Sequence, residues 1–111
     1  MSAHTVVSVV TMSTGTGSDG IVTKLVKITG SASYDTGGSV LDLSDYFGDE
    51  VRTIMGQAQG TGALGVQYVP AASNAPATGK LVLFDKDGTQ ESSTDNMSTT
   101  TYDLIAVGTD A

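Results

Sequence analysis

Most of the side chains in this sequence that could do chemistry are carboxylates, and seven of the 12 fall in two groups: Asp42, Asp45, Asp49 and Glu50, and then Asp85, Asp87 and Glu91. Paired carboxylates act as acid and base in glycoside hydrolysis, where their separation sets the stereochemical outcome. Such sites usually offer aromatic platforms to the sugar, whereas this chain has no Trp, 2 Phe and 4 Tyr. The first group therefore reads as helix-start acids and solvated loop charges. The second group could supply oxygen ligands to a hard cation. Its spacing is not that of an EF-hand, because Gly88 falls at the fourth position of the loop and Glu91 at the seventh, where the sixth and twelfth are required. An acidic hairpin tip is the expectation there, with a weak surface cation site at Asp85, Asp87 and Glu91 as the alternative.

Two segments fit G-x-G-x-x-G: Gly15 to Gly20 and Gly60 to Gly65. In a dinucleotide site such glycines precede a helix whose amides face the pyrophosphate. Here IVTKLVKI and VQYVP follow, both strand-like, so the segments read as inter-strand loops. Gly79-Lys80 resembles the end of a P-loop, but Leu81 stands where a magnesium-binding hydroxyl is needed. The chain has no Cys and one histidine, His4. Disulfides, zinc ribbons and thiol chemistry are excluded, and His4 reads as a surface residue of a mobile amino end. Asn96-Met97-Ser98 fits a glycosylation acceptor but has no secretory signal to give it meaning. No catalytic, cofactor-binding or metal-ligating residue is assigned, no cofactor is expected, and the expectation is a protein that is not an enzyme.

The elements that carry these residues are β. The 111 residues make one domain's worth of chain. Area scaling gives a folded surface of roughly 5,700 Å² against about 16,000 Å² extended, enough burial for one modest core. Ser, Thr and Gly number 12, 16 and 14, and Val outnumbers Leu 12 to 7. β-branched residues fit pleated surfaces, and Gly and Ser punctuate turns. Strands are expected at Thr5 to Met12, Ile21 to Gly30, Val51 to Met55, Gly65 to Pro70, Lys80 to Phe84 and Thr99 to Val107, with a short apolar unit at Val40 to Leu43. Ile21 to Gly30 carries apolar residues on both faces, so periodicity does not choose its inward side. Ser44 is expected to cap one helical turn at Asp45 to Phe47, which Gly48 stops. Gly56 to Gly62 and Ala71 to Gly79 read as connections, and Asp87-Gly88 as a hairpin turn. The fold expected is all-β: a single small β-sandwich or β-barrel, jelly-roll-like, of six to seven strands over residues 1–111, with residues 1–4 mobile. The formal charge of −7 argues against a nucleic-acid partner. No apolar stretch reaches membrane-spanning length, so no membrane partner is expected.

The stretch Tyr34 to Phe47 (YDTGGSVLDLSDYF) with the strand after it, Tyr68-Val-Pro-Ala-Ala, Lys80-Leu-Val-Leu-Phe-Asp and Thr101-Tyr-Asp-Leu-Ile-Ala-Val-Gly108 carry a resemblance. In this order, across residues 20 to 108, the chain resembles the small capsid decoration (cement or head) proteins of tailed bacteriophages. The resemblance is one of layout, and its motifs are structural: Gly37-Gly38 as a bend, and Leu41, Leu43 and Phe47 as packing. It implies a compact β domain on the outer surface of the virion, made in the host cytoplasm. The partner implied is the major capsid protein, with homo-oligomers, trimers in particular. The alternative is a carbohydrate- or receptor-binding module of a phage head or tail fibre. A small glycan hydrolase is a third reading, tied to Asp42, Asp45 and Asp49.

Overall fold

The computed structural model describes residues 3–14, 20–59 and 63–109. Its strands are β1 (Thr5–Thr14), β2 (Ile21–Thr29), β3 (Ser39–Val40), β4 (Glu50–Gln59), β5 (Ala63–Val69), β6 (Lys80–Asp85) and β7 (Thr101–Thr109), with one 3-10 turn at Ala72–Asn74. All pairings are antiparallel, in the order β1-β2-β7-β4-β5-β6-β3. The seven strands form one curled sheet, a half-barrel, so the architecture is all-β and closer to a barrel than to two stacked sheets. The total accessible surface is 5707 Å².

The period of two along β2 and β7 builds the interior. Val22, Lys24, Val26 and Ile28 of β2 are buried, as are Tyr102, Leu104 and Ala106 of β7. Register joins them into rows across the concave face: Val9 faces Val26 and Val26 faces Leu104, while Val6 faces Ile28 and Ile28 faces Tyr102. Val51 and Ile54 of β4, Leu81 and Leu83 of β6, and the loop residues Tyr34, Leu41, Leu43 and Phe47 complete the core. Lys24 is on the buried face because its tip has somewhere to go. The ammonium donates to the Tyr46 carbonyl and lies 5.1 Å from the centre of the Phe47 ring, while the aliphatic stem packs inside.

Three sequence expectations change. In the segment expected to be a connection, Gly56 to Gln59 instead continue β4, pairing with Leu104 to Thr101 of β7. Gly56 is needed there: an added Cβ would run into the Asp103 carbonyl and the backbone of Leu104. At Asp45 to Phe47 there is one hydrogen-bonded turn, with the Tyr46 and Phe47 amides donating to the Leu43 carbonyl at 3.0 Å each. Asp42 takes the capping role expected of Ser44: its Oδ1 accepts from the Ser44 amide at 2.9 Å and from the Ser44 hydroxyl at 2.6 Å.

The third correction concerns His4, which is neither on the surface nor loosely held but 5% exposed. Its amide donates to the Val40 carbonyl at 2.9 Å, linking the entry of β1 to β3 at the opposite edge of the sheet. One end of the half-barrel is thereby tied shut. Pro70 follows the last residue of β5, as a residue without an amide proton requires between two ladder partners.

Candidate functional site

The tied end carries a buried polar network. His4 Nε2 donates to the Leu81 carbonyl at 2.9 Å, and His4 Nδ1 accepts from the Ser31 amide at 3.1 Å. The Ser31 and Ser39 hydroxyls are 3.0 Å apart, and the Ser39 hydroxyl also accepts from the Asp35 amide at 3.0 Å. Burial depresses the His4 pKa, against weaker upward pulls from the Leu81 carbonyl and the Asp35 carboxylate. Both ring nitrogens are committed to the backbone in the neutral form, so this imidazole organises loops and has no free nitrogen for proton transfer.

Beside it, Tyr34 is fully buried, with its hydroxyl accepting from the Leu83 amide at 3.1 Å and donating to Gln90 Oε1 at 3.0 Å. The same Gln90 oxygen accepts from the Gly37 amide at 2.6 Å. Gly37 and Gly38, with φ of 93° and 110°, make the bend that delivers that amide, a region side chains rarely enter. Over this network lies an open groove of about 340 Å³ lined by Asp35, Thr36, Gly38, Val40, Lys80 and Ser93. One carboxylate, one ammonium and two hydroxyls could hold a small polar ligand.

The acidic groups do not converge on a common centre. Asp49 Oδ2 accepts from the Thr109 hydroxyl at 2.9 Å, while Glu50 meets Arg52 at 3.3 Å and the Asn74 amide at 3.2 Å. The Asn74 and Arg52 hydrogen bonds hold the Glu50 carboxyl below its ordinary range. Asp85 Oδ1 accepts from the Asp87 and Thr89 amides at 2.9 and 3.0 Å, which shapes the hairpin tip. Burial, then the carboxylates of Asp95 and Asp85, push the Glu91 carboxyl up. Among the described residues no group of three or more His, Asp or Glu is placed to hold a metal ion. Of the two glycine motifs, residues 15–19 and 60–62 lie outside the described residues, while Ala63, Leu64 and Gly65 belong to β5.

The outer, convex face offers a different surface. Val10, Leu25, Ile105 and Met55 stand directly opposite one another across β1, β2, β7 and β4, a continuous apolar row. Val10 is 58% exposed, Leu25 42% and Met55 56%. The neighbouring row is polar, with Ser8, Lys27, Asp103 and Gln57 in register. Contiguous exposed apolar surface rimmed by polar groups is the usual mark of a contact site. Sequence reasoning missed this row because each member looked like an ordinary strand residue; the signal is visible only once register aligns four strands. Compared with protein-family models, with curated proteins and with solved structures, the chain matches none of them.

Proposed function

We propose that the chain is a non-enzymatic structural protein of a tailed-bacteriophage virion that decorates or cements the outer surface of the capsid, with the major capsid protein as its partner. The observation that carries this reading is the apolar row Val10-Leu25-Ile105-Met55 on the convex face. It supplies adhesive surface on a small domain, and many weak copies on a lattice add up through multivalency. The net charge of −7 suits the side of a shell that faces away from DNA. The resemblance across residues 20 to 108 points the same way.

Averaged electron microscopy of the parent particle tests it. Density for this chain on the outer lattice, in hundreds of copies per particle, supports the reading. Particles that are complete and equally rugged with the gene deleted overturn it. A second reading, a glycan- or receptor-binding module of a head or tail fibre, is favoured by the groove holding Asp35 and Lys80. That reading requires only a few dozen copies per particle or fewer, and glycan-induced shifts at the groove residues.

A further inference from the structure

We propose that β1 is a self-association edge, at which the stretch Val9–Thr11 pairs antiparallel with the same stretch of a second copy across a two-fold axis. Among the described residues β1 pairs with β2 alone and lies at the end of the strand order. The bond that ties the two edges of the sheet leaves from His4, before the strand begins. Along an antiparallel edge, alternate residues point both their N–H and C=O groups away from the only neighbour, so β1 presents a row of unfilled backbone donors and acceptors.

Edge strands are normally protected by charge, by proline or by brevity. β1 is ten residues long, TVVSVVTMST, with neither charge nor proline, and Val7, Val10 and Met12 are each more than half exposed. Its register breaks fall between Val6 and Ser8 and between Thr11 and Ser13, leaving Ser8–Thr11 as a regular window. The other edge, β3, has two residues and needs no cover.

Charge selects the occupant. Every charged residue of this acidic chain lies outside β1, so β1 is where two acidic copies meet with least repulsion. A two-fold through Val10 sets each Val10 against its counterpart and joins the two apolar rows end to end across eight strands. Such an isologous contact covers both free edges at once and closes as a dimer. It differs from the trimer implied by the resemblance, and it stands whether or not the protein belongs to a virion.

Sedimentation of the purified chain over about three decades of concentration tests this. The expected result is a reversible species of twice the 11.2 kDa chain mass. Val10→Lys should weaken the dimer roughly tenfold or more, while Val69→Lys, on the interior strand β5, leaves it unchanged. The added lysine lowers the net negative charge, so weaker association cannot come from general repulsion. Amide hydrogen exchange of the wild type gives a second readout. In the dimer all amides of Val9–Thr11 exchange slowly, and those facing outward speed up on dilution. A monomer at every concentration, a trimer, unchanged association of Val10→Lys, or outward amides that exchange fast at high concentration would each overturn the proposal. If Val10→Lys does not fold, the exchange pattern of the wild type decides.

Discussion

The imidazole of His4 donates to the carbonyl oxygen of Leu81, 77 residues along the chain, at 2.9 Å. The opposite ring nitrogen accepts from the Ser31 amide, so the arrangement works only for the neutral ring. Protonation turns that acceptor into a donor and leaves a buried N–H facing another. Burial lowers the folded pKa from the ordinary 6.5, and the sign of the pH dependence follows. The stabilisation is complete above pH 6.5 and is lost as pH falls through the lower folded value. His4→Gln should cost about 1–3 kcal/mol at neutral pH. Urea midpoints between about pH 7.5 and about pH 5 should fall for the wild type more than for the variant. The difference between the two proteins removes carboxylate contributions such as that of Glu91, and parallel curves would refute the assignment.

Two tyrosines should respond oppositely to loss of the hydroxyl. Tyr34→Phe leaves the buried Leu83 amide without its acceptor and Gln90 Oε1 without one of its two donors, a cost of about 1–3 kcal/mol. The Tyr102 hydroxyl is buried with no partner among the described residues. Tyr102→Phe should be neutral or stabilising, by up to about 1 kcal/mol. Burial, with the charges of Glu91 and Tyr34 behind it, also pushes the Tyr102 phenol up to about 12. The folded phenol therefore stays neutral while the unfolded one ionises near 10, and stability drains away as pH rises above 10. Tyr102→Phe should flatten that alkaline limb, and denaturant midpoints at neutral and alkaline pH check both statements.

Strand content was legible because Val and Thr runs alternate with Gly- and Ser-rich breaks, and six of the strands fall where those runs predict. What was hidden depended on contacts between distant segments. β2 carries apolar residues on both faces, so its inward side was undecidable from periodicity, and the Tyr46 carbonyl and Phe47 ring that give Lys24 a berth on the buried side lie in a distant segment. His4 looked peripheral because its partners, Ser31, Val40 and Leu81, are all remote in sequence. Gly56 carried a turn-like signature, yet its role is close approach to β7. The apolar outer row needs three registers at once, which no single segment encodes.

Gly56→Ala should be among the more damaging small substitutions. The new methyl would meet the Asp103 carbonyl and lie 2.7 Å from the Leu104 side chain and 2.9 Å from its Cα. Because that neighbour is backbone in a ladder, the sheet itself must shift, at about 1–3 kcal/mol or more. At Gly65 in β5, the nearest atom to an added methyl is the Gly56 carbonyl at 4.0 Å. Gly65→Ala should therefore be neutral or mildly stabilising through a stiffer unfolded chain, by up to about 1 kcal/mol. Thermal midpoints of the two variants should move apart, and equal shifts would refute the packing argument.

Met55 and Leu25 separate what the outer row does for folding from what it does for contact. Met55 is 56% exposed and outside the buried core, so Met55→Glu should change stability by no more than about 0.5 kcal/mol. Leu25→Glu, at an exposed position flanked by Val10 and Ile105, should cost somewhat more, about 1 kcal/mol. If the row is adhesive, both variants should lose recruitment to decoration-free capsids by roughly tenfold or more, since a carboxylate in an apolar contact is desolvated without a partner. Lys27→Gln, one row away, should retain binding within a few-fold. Capsid pull-down compared with urea denaturation distinguishes the cases. Lost binding with preserved stability places the contact on the convex face, whereas normal binding by both glutamate variants moves it elsewhere on the domain.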